Sequence, residues 1–231
     1  MRIRLRQIVM VAADLAAAEQ RISDELGLEL CYRDPGVGVF GLRNALFPIG
    51  DKLLEVVSPI EDGTTAGRFL DKRGGDGGYM VIFETDDIEA ARRRFEQAGV
   101  RIVFEAEDDG VLGLHLHPAD VGGAIVSIDR TDVWGEWPWA GPEWRDHVRT
   151  GTVADVLGVE IEAADPDAMA ERWSAVLGRP VVDRRIELDE GVMTFVEAGE
   201  RGDGVAGFTL AAADSADPVD TTICNCRFTS R

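Results

Sequence analysis

The sequence predicts an α+β protein built from repeated βαβββ units, and three observations support this fold class. Three apolar segments, 7–14, 80–87 and 158–165, each end in an aspartate at the same position and begin 73 and 78 residues apart. Each aspartate is followed by an amphipathic run with helical spacing that ends at a glycine. Strand-like stretches follow each glycine, so the order strand, helix, strand, strand, strand recurs three times.

The aspartate and the glycine of each unit mark the two ends of its helix. An aspartate at the N-cap accepts hydrogen bonds from free N–H groups of the first turn, and glycine readily adopts the left-handed conformation that ends a helix. Pro166 fits the first turn of the third helix, where no backbone N–H is needed. We therefore expect helices over 15–25, 88–97 and 166–176, capped by Asp14, Asp87 and Asp165 and ended by Gly27, Gly99 and Gly178.

The stretches after each glycine predict the remaining strands. They cover 29–32, 44–49 and 52–57 in the first unit, 100–105, 112–117 and 124–128 in the second, and 181–188, 192–198 and 204–211 in the third. A fourth copy begins at 222–229 and ends after one strand. The expected domains are 1–131 with two units, a tryptophan-rich connector over 132–152, and 153–231 with the third unit and the lone strand. The connector either packs onto a domain or a partner subunit, or forms a lid over a ligand cavity.

Charge and composition exclude several classes of partner. The chain has 43 acidic and 24 basic residues among 231, a net charge of -19 that repels polyanions, so we expect no nucleic-acid binding. No apolar run reaches the roughly 18 residues of a spanning helix, and no signal peptide opens the chain, so we expect no membrane association. Three cysteines do not make a disulfide framework. The expectation is a cytoplasmic protein that binds a small molecule.

Four motifs add a family resemblance to this repeat. They are GDKLLEVVSP at 50–59, RFLDKRG at 68–74, DDIEAA at 86–91 and LHPADVGGA at 116–124. In order and spacing they resemble the vicinal oxygen chelate superfamily of glyoxalases, extradiol dioxygenases and bleomycin-resistance proteins, and residues 3–130 resemble its methylmalonyl-CoA epimerases. The resemblance implies that the first two units form a half-open barrel around a cavity, with the third unit and last strand as an incomplete second module.

The resemblance also implies where a metal would be held. Metal-dependent members take ligands from the first and last strands of each unit, which here are Gln7, Glu55, Met80 and Ser127. A hard divalent ion prefers imidazole and carboxylate ligands, and neither a thioether nor a hydroxyl replaces them. We therefore expect no metal cofactor; a divalent ion at Glu55 with Gln7 or His115 is the minor alternative.

Two residues are the candidates for acid–base chemistry. Glu55 lies in an otherwise apolar strand, so its carboxylate either faces a polar cavity as a proton acceptor or is held by a structural partner. His115 lies in the strand-like stretch 112–117, where side chains alternate, so it points to the same face as His117. His115 either acts on a substrate as a general acid or base or as a polarising group, or it fills space or bonds to a backbone carbonyl.

Further residues are candidates for binding a substrate. Arg68 and Arg73 flank the glycine-rich stretch 74–78 and either anchor an anion or form internal salt bridges. Tyr79 and Met80 would line the cavity, and Gln7 and Ser127 would orient substrate oxygens.

These observations leave two functions open. One is a metal-independent isomerase or lyase, glyoxalase-like or epimerase-like, which acts by proton transfer on a small carbonyl or acyl-thioester substrate. The other is a non-catalytic protein that sequesters an organic ligand, as bleomycin-resistance proteins do. The exposed edge of the incomplete module predicts a homodimer.

Overall fold

A computed structural model describes residues 1–108, 110–214 and 216–231. Strands dominate the chain and often follow one another directly, with a few helices between groups of strands, which confirms the α+β class. The segment from 1 to 76 contains β1 (Ile3–Val11), α1 (Leu15–Leu26), β2 (Leu42–Ile49), β3 (Lys52–Pro59) and α2 (Thr65–Arg73). The next segment contains β4 (Gly77–Thr85), α3 (Ile88–Ala98), β5 (Ile102–Asp108), β6 (Val111–Leu116), α4 (Pro118–Val121) and β7 (Ile125–Thr131). The remainder contains β8 (Val153–Ala163), α5 (Pro166–Leu177), β9 (Val181–Val182), β10 (Arg185–Glu187), β11 (Val192–Glu197), β12 (Gly204–Ala212), β13 (Asp220–Ile223) and β14 (Cys226–Ser230).

The predicted helix ends are confirmed at all three repeats. The carboxylates of Asp14, Asp87 and Asp165 accept hydrogen bonds from the backbone N–H three residues later, at 3.1, 2.9 and 2.9 Å. The glycine after each helix has φ between +66° and +67°. A carboxylate at one end and a left-handed residue at the other therefore fix the helix lengths that the spacing predicts.

Three strand predictions are wrong in detail. The stretch 29–32 forms no strand and contributes one bridge, between Tyr32 and Leu46. The stretch 181–188 is a hairpin, β9 and β10, with its turn at Asp183 and Arg184. The stretch 222–229 is also a hairpin rather than one strand.

The second hairpin turns at Cys224 and Asn225, which have φ of +49° and +57°. Two consecutive left-handed residues match the right-handed twist of the flanking strands, as two-residue hairpin turns require. The Asn225 amide also donates to the carbonyl of Asp76 at 2.9 Å.

The described residues form two compact units, each drawn from separate parts of the chain. Unit A comprises Gln7–Tyr79, Trp139–Val156 and Gly207–Arg231. Unit B comprises Met1–Arg6, Met80–Pro138 and Leu157–Ala206. Each unit therefore combines residues from more than one of the sequence repeats. The division of the chain into domains 1–131 and 153–231, joined by the connector 132–152, stays a prediction.

In unit A, strand β3 pairs in parallel with β1 and antiparallel with β2, and β14 pairs in parallel with β12 and antiparallel with β13. Strands β2 and β3 are buried from Leu42 to Ser58. The exceptions are Arg43 and the turn residues 50 and 51. The buried Lys52 ammonium at the start of β3 forms an ion pair with the Asp155 carboxylate at 2.7 Å. This buried sheet supplies the strands that carry Gln7 and Glu55.

In unit B, β7 pairs in parallel with β4 and antiparallel with β6, which in turn pairs with β5. Strand β11 pairs in parallel with β8 and antiparallel with β10. The carboxylate of Glu84 is fully buried and accepts two hydrogen bonds from the Arg4 guanidinium, at 2.6 and 2.8 Å. It also accepts from the hydroxyl of Thr131 at 2.7 Å, so this buried charge has strong partners.

The tryptophan connector packs within the units. In unit B, the guanidiniums of Arg2 and Arg4 lie over the Trp134 ring at 4.0 and 4.7 Å, and Trp137 is buried. In unit A, Trp144 is buried as well. These contacts are those of a packed segment, and a role of the connector as a lid over a ligand cavity stays a prediction. Within the described ranges, no helix is both long enough and apolar enough to cross a membrane.

Candidate functional site

A buried carboxylate in unit A is the centre of the candidate site. Gln7 Nε2 donates to Oε2 of Glu55 at 2.7 Å, and Asn44 Nδ2 donates to Oε1 at 2.6 Å. In the strand register, Val9 of β1 and Leu46 of β2 lie opposite Glu55, so both amides reach it diagonally from the same face. Each oxygen of the carboxylate therefore has one neutral amide donor.

The surroundings of Glu55 bring its pKa close to neutral pH. Burial raises the pKa of Glu55 to about 7, and the hydrogen bonds from Asn44 and Gln7 limit that rise. The nearby Asp34 carboxylate raises the pKa further. Among the described residues, no lysine or arginine forms an ion pair with Glu55. A carboxyl group with such a pKa exists in both protonation states near pH 7, which suits a group that accepts and returns a proton.

The orientation of Asn44 is fixed by a backbone group. The N–H of Asp34 donates to Asn44 Oδ1 at 2.8 Å, so the amide nitrogen of Asn44 faces Glu55. Asp34 and Asn44 also line a surface depression of about 550 Å³ at the start of α1 and of β2. Arg33 and the exposed Arg43 lie in the same depression. The carboxylate network thus borders a space large enough for part of a small ligand.

Three predicted site residues lie together on one face of the unit B sheet. His115 and Ser127 are opposite each other in the β6–β7 register, and Met80 lies opposite Ile125 on β4 and β7. The buried Ser127 hydroxyl donates to the carboxylate of Asp129. Ser127 thus already has a partner for its hydroxyl hydrogen.

The half-buried His115 packs against the edge of the Phe104 ring, with ring centroids 5.3 Å apart. Burial lowers the pKa of His115 to about 4, so the imidazole is neutral at pH 7. A neutral imidazole can polarise a ligand by N–H donation but does not supply an imidazolium acid.

The predicted anion anchors lie on α2 of unit A. Arg68 donates to the carbonyl of Gly63 and, at 3.0 Å, to the hydroxyl of Thr65, so its guanidinium covers the start of its own helix. Arg73 is half-buried in the last turn. Tyr79 is buried, its ring lies edge-on to Phe69 at 5.2 Å, and burial raises its pKa to about 12. Gln7 and Glu55 are thus in direct contact, whereas Arg68 makes local contacts in its helix.

The residues at the metal-ligand positions do not fit a hard divalent ion. In unit A, the Gln7 amide nitrogen and the Glu55 carboxylate are hydrogen-bonded to each other. In unit B, the equivalent positions provide the Met80 thioether and the Ser127 hydroxyl, which donates to Asp129. Hard cations require several oxygen or imidazole donors that are free to turn toward the ion.

Sequence analysis missed Asn44, although a signal was present. Asn44 interrupts an apolar strand in the same way as Glu55 does, and both side chains are buried. A buried amide needs a polar partner, and Glu55 lies on the next predicted strand. The antiparallel register between β2 and β3 would have been needed to bring the two together.

Comparison with known proteins agrees with the predicted family. Residues 8–177 match the family model of the Glyoxalase-like domain. The ethylmalonyl-CoA/methylmalonyl-CoA epimerase of Cereibacter sphaeroides is 29% identical over 133 residues, which are 55% of this chain and 97% of that protein. The methylmalonyl-CoA epimerase structure from Mycobacterium tuberculosis is 26% identical with a TM-score of 0.50, and the match covers 56% of this chain and 89% of that one.

A second solved structure extends the likeness to the whole chain. A hypothetical protein from Staphylococcus aureus matches with a TM-score of 0.73 over 99% of both chains, at 14% identity. At this identity the match shows the fold alone, and that fold includes the residues beyond the part shared with the epimerases. The resemblance to the vicinal oxygen chelate superfamily is confirmed, and the chain belongs to its Glyoxalase-like domain family.

Proposed function

We propose that this protein is an epimerase-like enzyme that moves a proton at the carbon next to a thioester carbonyl, with Glu55 as the proton acceptor. The observation that carries the proposal is the buried Glu55 carboxyl, which has a pKa of about 7 and two amide donors instead of a cation. The names of the related epimerases suggest methylmalonyl-CoA and ethylmalonyl-CoA as the first substrates to test.

The proposed step is a reversible proton transfer. The C–H bond at C2 of the acyl group breaks, its proton moves to an oxygen of Glu55, and the electron pair passes to the thioester carbonyl as an enolate. A water molecule on the opposite face of C2 then gives a proton to the enolate, which restores the carbonyl and inverts the configuration, and the hydroxide that is left takes the proton from Glu55. The neutral amides of Gln7 and Asn44 stabilise the ionised carboxylate before transfer without lowering its basicity as strongly as a cation would.

The experiment is proton exchange at C2 in deuterated water, followed by NMR with methylmalonyl-CoA as the probe. We expect the wild-type protein to exchange the C2 proton and to racemise the substrate, and Glu55→Gln to reduce the rate by about 100-fold or more. Glu160→Gln is the matched control, because it is the same substitution at an exposed glutamate on β8.

The control variant should exchange at the wild-type rate. Full activity in Glu55→Gln would contradict the proposed role of Glu55. Ligand binding by the wild-type protein, seen as a raised melting temperature, without any exchange would instead favour the sequestering function.

We propose further that the reaction is independent of metal. The groups at the four ligand positions are a thioether, a hydroxyl, and an amide and a carboxylate that are hydrogen-bonded to each other. Elemental analysis of protein purified without chelator, then supplied with Mn²⁺, Co²⁺, Ni²⁺, Zn²⁺ or Fe²⁺, tests this. Stoichiometric metal that is lost in Glu55→Ala would contradict it, as would loss of exchange activity on chelation.

The roles of His115, Ser127, Arg68 and Arg73 in binding or polarising substrate stay predictions, as does the cytoplasmic location. We also propose a homodimer, because Val182 in the edge strand β9 is 65% exposed. Sedimentation at micromolar concentration should give twice the 25.1 kDa chain mass, and a monomer would contradict the proposal.

A further inference from the structure

We propose that Arg43, in the surface depression of unit A, binds a phosphate group of the ligand. The inference rests on the proposed function, because a CoA thioester carries its phosphates at the end that is remote from the acyl group. It assigns a binding task to a residue that lies outside the four family motifs and outside the candidate ligand positions.

Arg43 is an exposed cation in an otherwise buried strand. Of the eight residues of β2, seven are buried and Arg43 alone is exposed. In the register with β3 it lies opposite the buried Ser58. Other exposed arginines of unit A form ion pairs with carboxylates, as Arg21, Arg149 and Arg227 do.

The other charged groups of the depression already have partners. The Arg33 guanidinium donates to both carboxylate oxygens of Glu19, each at 2.7 Å. The Asp34 carboxylate accepts from the backbone N–H of Gly36 at 2.7 Å and so faces its own loop. Arg43 forms no ion pair with any residue that the structure describes. Its guanidinium can therefore donate two parallel hydrogen bonds to a phosphate group.

The strand geometry places Arg43 away from the Glu55 carboxylate. Neighbouring residues of a strand point to opposite faces of the sheet, and Asn44 points to Glu55. Arg43 therefore points to the other face and would contact a part of the ligand that is remote from C2. Asn44 and Arg43 both line the depression, whose volume of about 550 Å³ can hold part of a substrate between them.

The rest of the lining suits the arm that joins a thioester to its phosphates. It is apolar and consists of Leu15, Ala16, Pro35 and Leu42. Ala16 and Pro35 are exposed, so a ligand that covers them would remove apolar surface from water. A free phosphate ion would gain the contact with Arg43 alone. The lining therefore favours a phosphate that belongs to a larger organic molecule.

The test is isothermal titration calorimetry with coenzyme A and with pantetheine, which has the arm but no phosphate. We expect Arg43→Gln to bind coenzyme A about 10-fold more weakly than the wild type does, because a charge-assisted hydrogen bond is lost. Pantetheine should bind equally to both proteins. Arg43→Lys keeps the positive charge and should lose less affinity than Arg43→Gln.

The matched control is Arg93→Gln, which is the same substitution at an exposed arginine on α3 of unit B. Like Arg43, Arg93 has no ion-pair partner in the described part of the chain, and this variant should bind coenzyme A as the wild type does. Because Arg43 is exposed, Arg43→Gln should also keep the wild-type melting temperature. Weaker binding by a protein with that melting temperature cannot then come from unfolding.

Three outcomes would overturn the proposal. One is equal affinity of the wild type and Arg43→Gln for coenzyme A, and another is a wild type that does not bind coenzyme A. The third is an equal loss of affinity for pantetheine and for coenzyme A, which would place Arg43 on the arm. Pyrophosphate, titrated in the same way, tests the source of the phosphate. Pyrophosphate that binds through Arg43 as tightly as coenzyme A does would indicate a free phosphate ligand and would contradict the CoA thioester.

The proton exchange of methylmalonyl-CoA separates this inference from the proposed function. If both hold, Arg43→Gln should raise KM about 10-fold and leave kcat unchanged, since the lost contact is remote from the reacting carbon. Exchange with an unchanged KM would overturn the role of Arg43 and leave that of Glu55 intact. Coenzyme A binding that depends on Arg43 in a protein without exchange would contradict the proposed function, while the phosphate site would stand.

Discussion

Gln7 and Glu55 lie on neighbouring parallel strands, and the amide nitrogen of Gln7 donates to the Glu55 carboxylate at 2.7 Å. An arginine or lysine in place of Gln7 would favour the ionised carboxylate far more strongly and hold its pKa low. The neutral amide allows burial to dominate instead. Because Glu55 titrates near pH 7, both the stability of the protein and the proposed chemistry should depend on pH in that range.

Stability should fall as the pH rises through 7 because of Glu55. Its pKa is about 7 in the folded protein, against an ordinary value of 4.5, so the folded state binds the proton more tightly. Proton binding by Glu55 contributes fully to the free energy of unfolding below about pH 4.5, and this contribution is lost above pH 7. The free energy of unfolding changes by about 3 kcal/mol between the two limits. Urea unfolding between pH 5 and pH 8 should therefore show Glu55→Gln gaining free energy of unfolding relative to wild type as the pH rises. A constant difference would contradict the pKa of Glu55.

Replacement of Glu84 should destabilise unit B strongly. Glu84→Ala leaves the guanidinium of Arg4 buried without the carboxylate that accepts two of its hydrogen bonds. We expect a loss of about 3 kcal/mol or more in the free energy of unfolding. Asp220→Ala removes an exposed ion pair with Arg227 and should cost less than about 1 kcal/mol. Denaturant unfolding checks both, and equal losses would contradict the burial of the Arg4–Glu84 pair.

Alanine should destabilise the protein at both Gly50 and Gly63, and much more at Gly50. Both have positive φ, +59° and +74°, which costs an alanine roughly 1 kcal/mol. A Cβ on Gly50 would lie 2.4 Å from the carbonyl oxygen of Ala154, while a Cβ on Gly63 meets open space. We expect Gly50→Ala to lower the melting temperature markedly more than Gly63→Ala does. Similar melting temperatures would contradict the close approach of the β2–β3 turn to residue 154.

The N-cap of α5 should contribute measurably to stability. Asp165→Ala removes the carboxylate that accepts from the N–H of Ala168, and a loss of about 1 kcal/mol in the free energy of unfolding is expected. Glu171→Ala, an exposed change within the same helix, is the control and should be close to neutral. Chemical denaturation of the two variants makes the comparison, and a larger effect of Glu171→Ala would contradict the capping role.

The sequence predicts the repeat because capping residues identify both ends of each of its helices. Aspartate and glycine at fixed distances determine where α1, α3 and α5 begin and end. The same signals mark α2, where Thr64 accepts a hydrogen bond from the N–H of Gly67 and Gly74 follows the last turn. The sequence prediction lacks that helix because it treats the stretch 68–74 as a family motif and not as a helix.

Other features were not readable because they depend on contacts distant in sequence. The turns at Asp183 and Arg184 and at Cys224 and Asn225 require left-handed backbone at residues that are not glycine. Glu55 was identified as a buried carboxylate, but the two amides that hold it follow from the registers of β1 and β2 with β3. The composition of the two units depends on contacts between separated segments, which no local pattern encodes.

The ¹³C titration of the Glu55 carboxyl carbon in the wild-type protein tests directly whether Glu55 is a proton acceptor near neutral pH. We expect a midpoint near pH 7, since burial raises the pKa of Glu55 and only neutral amides oppose that rise. The assignment is checked by the loss of that signal in Glu55→Gln. A midpoint at or below 4.5, as for an exposed or ion-paired glutamate, would contradict the proposal that Glu55 is a proton acceptor near neutral pH.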